Sequence, residues 1–84
     1  MPQHKSAIKR VRQNEKRRAR NRFHRAKMRT MIKRLRATDD KEQATARLNE
    51  VKAYLDRLAA LGIIHRNKAA NYKSILEKRV NALD

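Results

Sequence analysis

Eighty-four residues, a formal net charge of +16, no cysteine, one glycine and one proline bound what this chain can be. The length allows one small domain, the missing cysteines exclude disulfides and a thiolate metal site, and no apolar run is long enough to cross a bilayer. Few turn formers and almost no β-branched runs point to helices joined by short turns.

The charge is unevenly spread. Lys5 to Arg36 holds fifteen of the 24 Lys and Arg residues and a single acid, Glu15, whereas nine bases face seven acids from Ala37 onward. A basic arm of net +14 therefore precedes a nearly neutral body of +2. Only a dense polyanion offsets so much self-repulsion, so that is the partner class to expect.

In chain order, Met1, Pro2, Gln3, His4 and Lys5 read as an unstructured tip that a partner would order. The first residues lack the apolar stretch of a secretory signal. They are Arg-rich and acid-poor like an organelle transit peptide, but Ser6 is the only Ser or Thr before Thr30, which argues against that role. Ser6 is a plausible N-cap. From there to Ala37 no Gly or Pro interrupts a run rich in Ala, Arg, Lys, Met, Gln and Leu, so one helix is predicted over about 6–37.

The two halves of that helix differ. Met28, Met31, Ile32 and Leu35 share one face at core spacing. Projected backward, the face meets Asn21, Arg17, Asn14 and Arg10, which are polar or charged. The first half thus has nothing apolar to dock on and is expected to project beyond the body. Ile8, Val11, Ala19, Phe23 and Ala26 lie roughly on the opposite flank. Like charges meet at i, i+4 in Lys5–Lys9, Arg12–Lys16, Lys16–Arg20, Arg18–Arg22, Arg25–Arg29 and Arg29–Lys33. Each pair costs roughly 0.2–0.5 kcal/mol, about 1–3 kcal/mol together. A free arm is therefore expected to fray and to become helical on its partner.

Thr38 and Asp39 end the basic run. Asp39 and Glu42 have the form of a capping box, with Asp40 a second acid in the first turn. A second helix is predicted over about Asp40 to Ala60, with Leu48, Val51, Leu55 and Leu58 at the spacing of a packed seam. Gly62 fits a left-handed helix terminus, and Ile64 plugs the end of the bundle. A third helix is predicted over about Arg66 to Leu83, with Ala69, Tyr72, Leu76, Val80 and Leu83 on one face and Ile75 at its edge. Three amphipathic stripes and short turns make an all-α, antiparallel three-helix bundle with a long, protruding basic first helix. A core of about a dozen side chains gives low stability without a partner.

Catalysis finds no support. His4, His24 and His65 lie far apart in basic surroundings, the acids cap and solvate the second helix, and there is no phosphate-binding glycine loop or nucleophile signature. No cofactor, metal or enzymatic role is expected. The arm is the strong signal. A charged helix face is ordinarily just solvated, but here the balancing acids are missing. The preference for Arg at positions 10, 12, 17, 18, 20, 22, 25, 29, 34 and 36 favours structured RNA, because Arg adds forked hydrogen bonds and stacking to the point charge that Lys supplies. Lys9, Lys16 and Lys33 supply that charge. Gln13, Asn14 and Asn21 could reach 2′-hydroxyls or base edges, or could be polar filler. Phe23 either stacks on a base or packs on the third helix or beside Leu35's neighbours, the second being favoured. Tyr72 reads as core. His65, Arg66, Asn67 and Lys68 open the third helix, where free N–H groups favour a phosphate, with capping by Asn67 as the alternative.

Lys5-Ser6-Ala7, Arg12-Gln13-Asn14-Glu15-Lys16-Arg17-Arg18, Asn21-Arg22, Arg29-Thr30, Gly62-Ile63-Ile64-His65-Arg66-Asn67-Lys68-Ala69-Ala70 and Lys73-Ser74 resemble the bacterial-type small-subunit ribosomal protein family numbered twenty. The resemblance spans essentially the whole chain, and the Ile-His-basic-Asn-Lys-Ala-Ala segment is its most specific part. It implies a three-helix bundle bound directly to small-subunit ribosomal RNA. It also implies an early role in assembly, and a place low in the subunit body near the 5′ domain and the long 3′ minor-domain helix. The matching positions implied to touch RNA are Lys5, Ser6, Arg12, Gln13, Lys16, Arg17 and Arg18, then Asn21, Arg22, Arg29, Thr30 and Lys33. His65, Asn67, Lys68, Lys73 and Ser74 follow in the third helix. Lys9, Arg10, Arg20 and Arg25 join them on charge alone. Asn71, Tyr72 and Ile75 stand where the family usually has bases or His, and Leu61 where it usually has Lys, so RNA contacts beyond Ser74 are not implied here. The expected protein is a cytoplasmic ribosomal monomer needing few or no protein contacts and no membrane.

Three rivals share the basic helix. A leucine-zipper DNA binder needs several unbroken heptads, and the apolar pattern stops at Thr38-Asp39-Asp40. A membrane-surface or calmodulin-type helix needs a wide apolar face that the arm's first half lacks. Lys16-Arg17-Arg18-Ala19-Arg20 would alternatively serve as an import signal.

Overall fold

The structure, a computed structural model, describes residues 2–83, with side chains from Ala7 onward. Three helices follow one another: α1 (Pro2–Arg36), α2 (Lys41–Ala60) and α3 (Arg66–Asn81). α2 is the middle element and packs against both α1 and α3. Because α1 has 35 residues and α2 only 20, antiparallel packing leaves about the first fifteen residues of α1 beyond the body. The molecule measures 66 × 20 × 13 Å.

α1 begins four residues earlier than the sequence predicts. Pro2 opens it, which suits a residue with no N–H to leave unpaired in the first turn. Ser6 therefore lies inside the helix and is not its cap, and the expected unstructured tip is helical from Pro2. Met1 lies outside the described residues. The arm continues α1 without a break, as its Ala, Arg and Lys favour.

The start of α2 shifts by one residue from the expected cap. Asp40, not Asp39, is the N-cap, and its carboxylate accepts from the Gln43 N–H at 3.1 Å. The paired position three residues on is thus Gln43 and not Glu42. At the other end Gly62 has φ +75. The Gly62 N–H donates to the Ala59 carbonyl at 3.1 Å and the Ile63 N–H to that of Leu58 at 2.9 Å. That pair of bonds is a Schellman motif, closed by apolar contact between its ends, and both Leu58 and Ile63 are buried.

Thirteen apolar side chains form the core, among them Met28, Ile32 and Leu35 from α1, Leu48, Val51, Leu55 and Leu58 from α2, and Ala69, Leu76 and Val80 from α3. Ile63 and Ile64 close one end, and Met31, Tyr54, Tyr72 and Leu83 pack at the margin. Arg79 Nη2 donates to the Arg36 carbonyl at 2.6 Å, so the end of α3 satisfies one of the open carbonyls that end α1.

Candidate nucleic-acid interface

From Ala7 to Arg20 every residue of α1 is exposed. Lys9, Arg10, Arg12, Gln13, Lys16, Arg17, Arg18 and Arg20 therefore all stand in solvent, as predicted for a projecting arm. The side chains of Lys5 and Ser6 lie outside the described residues. Both ion pairs among the described residues, Lys52–Glu77 at 2.6 Å and Lys73–Asp56 at 2.8 Å, join α2 to α3. None of the arm's cations from Lys9 to Arg36 is offset that way.

Helical periodicity sorts these cations into rows. Arg18, Arg22, Arg25 and Arg29 follow one another at spacings of four, three and four, which keeps them on one flank. Together with Asn21 and Ala26 they line an open groove of about 440 Å³. Ala26 keeps its centre shallow, so four guanidinium forks surround a surface that a phosphate backbone can approach closely. Arg25 is anchored there: its Nη2 donates to the Ile63 carbonyl at 3.2 Å. Thr30 and Lys33 are exposed further along α1, but the Thr30 hydroxyl donates to the Ala26 carbonyl at 3.0 Å, leaving only its lone pairs for a ligand.

The bond from Arg25 also places the α2–α3 turn against α1. That turn carries His65, Arg66, Asn67 and Lys68, all exposed, to the root of the arm. The N-cap of α3 is His65, whose Nδ1 accepts from the Asn67 N–H at 3.1 Å, so capping by Asn67 gives way to capping by the residue two before it. With Nδ1 as acceptor, the neutral His65 ring carries its proton on Nε2, pointing a donor outward. Lys68 lies with Nζ 5.9 Å from the centre of the Tyr72 ring. Lys73 and Ser74 sit about two turns further along α3, away from this cluster. Lys73 is half-buried and its charge is matched by Asp56, so it is a strut between α2 and α3 in this structure.

Phe23 does not pack on α3. It is 63% exposed, lies outside the core and stands edge to face with the His24 ring, 5.5 Å between centroids. The packing that was expected of it falls to His24 and Tyr54, neither of which stood out by residue type. The Tyr54 hydroxyl lies 2.6 Å from His24 Nδ1, and Lys27 Nζ lies 5.1 Å from the Tyr54 ring centre. This contact fixes α2 to α1 where the arm leaves the body. Burial pushes the Tyr54 hydroxyl above its ordinary pKa, and the Arg57 guanidinium partly opposes the shift. The signal was present: His24 lies one turn before Met28, on the core stripe.

Among the described residues no three His, Asp or Glu side chains gather as a metal site, and no polar or charged residue is buried.

Residues 2–81 match the family model described as ribosomal protein S20. The small ribosomal subunit protein bS20 of Salinibacter ruber is 63% identical over 84 residues, covering 100% of both chains. The proteins of the same name from Phocaeicola vulgatus and Parabacteroides distasonis are 51% and 52% identical over 83 residues, each covering 99% of both chains.

Proposed function

The chain belongs to the ribosomal protein S20 family, and from that premise we propose that it binds small-subunit ribosomal RNA directly through the exposed flanks of α1 and supports assembly of the subunit. The family is one of structural proteins of the small ribosomal subunit, not of enzymes, and its work lies in translation. The observation that carries the RNA contact is the arm itself: fully exposed from Ala7 to Arg20, with its cations outside the molecule's ion pairs. Inserted between RNA helices, the arm neutralises their phosphates and holds them close. The turn bearing His65, Asn67 and Lys68 adds a second surface at its root. The protein acts on the cytoplasmic ribosome as a monomer, with few or no protein contacts required. Lys73 and Ser74 contribute least, since the first is already paired.

Binding of the purified protein to its own organism's small-subunit ribosomal RNA, against unrelated RNA of equal length and duplex DNA, tests this at moderate salt. A clear preference for the ribosomal RNA, lost when Arg17, Arg18 and Arg22 are all replaced by Ala, is the expected result. Equal binding to all three would reduce the arm to a general polyanion clamp. With some six to ten phosphates engaged, affinity should fall by about 10³–10⁵ between roughly 50 and 200 mM salt.

A further inference from the structure

We infer that the cleft between the root of the arm and the α2–α3 turn is a binding site for one unstacked base of the RNA. This rests on the RNA-binding function proposed above and goes beyond it by naming a pocket and its occupant.

The cleft holds about 310 Å³ and is lined by Arg17, Arg20 and Asn21 from α1 and by Leu61, Gly62 and Ile63 from the turn. Its composition is wrong for a phosphate alone. A phosphate needs cations and N–H donors, and an apolar side chain beside it only hinders hydration. Leu61 is nonetheless 54% exposed at this point, outside the core. Asn21 is half-buried here, the one polar residue of the stretch from Ala7 to Arg22 that is not fully exposed. Its amide carries both donors and an acceptor, the complement of a base edge. Gly62 lacks a side chain, and apart from its two chain neighbours no atom lies within 4 Å of where a β-carbon would stand, so a flat group can approach the backbone.

A nucleobase matches each of these features. Its faces are apolar and stack on Leu61 or on a guanidinium plane, its edge hydrogen-bonds to Asn21, and its flanking phosphates meet Arg17 and Arg20. The volume is at the lower end of the roughly 300–1,000 Å³ usual for ligand pockets, which suits a single ring system. A base inside a duplex cannot enter, so the cleft selects RNA with an unpaired nucleotide next to the helices that the arm bridges.

The test compares wild type, Asn21→Ala, Leu61→Ser and the shape-keeping Leu61→Met on two probes. These are small-subunit ribosomal RNA from the same organism and a fully paired RNA duplex. Asn21→Ala and Leu61→Ser should each weaken ribosomal RNA binding about fivefold or more, Leu61→Ser should leave duplex binding unchanged, and Leu61→Met should stay close to wild type. Chemical probing of base edges should show one unpaired nucleotide shielded by wild type and reactive with either weakened variant, the rest of the footprint persisting. Equal losses by Leu61→Ser on both probes, or an unchanged footprint with both variants, would overturn the inference while the RNA-binding function stood. A wild-type protein with no preference for ribosomal RNA would overturn both. Leu61 is exposed and Asn21 lies outside the core, so matched melting temperatures confirm that the variants fold.

Discussion

The two halves of α1 share one backbone and obey different rules. From Met28 to Leu35 the helix is held by what it buries: Met28, Ile32 and Leu35 are 1–7% exposed against α2 and α3. From Ala7 to Arg20 it buries nothing, and every side chain stands in solvent. The body can be disturbed through volume, while the arm can be disturbed only through charge. Stability and RNA affinity should therefore respond to separate sets of residues.

Amide exchange on the free protein gives the sharpest contrast. Protection should fall by about 10²–10³-fold along α1, from Leu35 near the body's full stability to Val11 near none. Uniform protection would mean that the arm is held by something other than core burial. Next in size is Leu55→Ala, at a side chain with no exposure. It should cost about 2–5 kcal/mol in urea unfolding, whereas replacing Arg17, Arg18 and Arg22 with Ala should shift stability by no more than about 0.5 kcal/mol apiece. An arm substitution as damaging as the core one would erase the distinction. Gly62→Ala comes third, with a loss of about 1–2 kcal/mol from the left-handed backbone alone, because no neighbour is close enough to clash. The smallest effect belongs to Tyr54. Its folded pKa is raised, so the folded state holds this proton more tightly than the unfolded chain does. That contribution is complete below the unfolded value, near 10, and is lost as pH rises through the folded value. In unfolding measured from pH 8 to 11, Tyr54→Phe should lose less stability at the alkaline end than wild type; identical pH profiles would refute it.

Much of the body was legible because apolar residues repeat. The stripe through Met28, Ile32 and Leu35, the seam from Leu48 to Leu58 and the glycine that ends α2 follow from spacing and backbone chemistry alone. What spacing missed were polar residues with structural duties. Asp39 and Asp40 are equivalent in composition, and only the turn geometry decides which one reaches the Gln43 N–H. His65 competes with Asn67 for a cap on the same basis. Phe23 was read through its hydrophobicity and stands in solvent, while His24 and Tyr54 make the contact at the arm's root. The proposed interface was legible as a charge imbalance, and Lys73 shows the limit of that signal. A lysine looks the same in sequence whether it faces a phosphate or is matched by Asp56, since its partner comes from another helix.

No Gly or Pro interrupts α1 between the core stripe and the exposed arm, which makes it a lever. Val11 lies about 25 Å from Met28 along the axis, so a tilt of about 10° at the core sweeps the tip through about 4 Å. The packing of three or four apolar side chains thereby aims a row of arginines they never touch. The gearing also runs backward. An RNA that fixes the tip narrows the angles open to Met28, Ile32 and Leu35, and so tightens a core it never contacts.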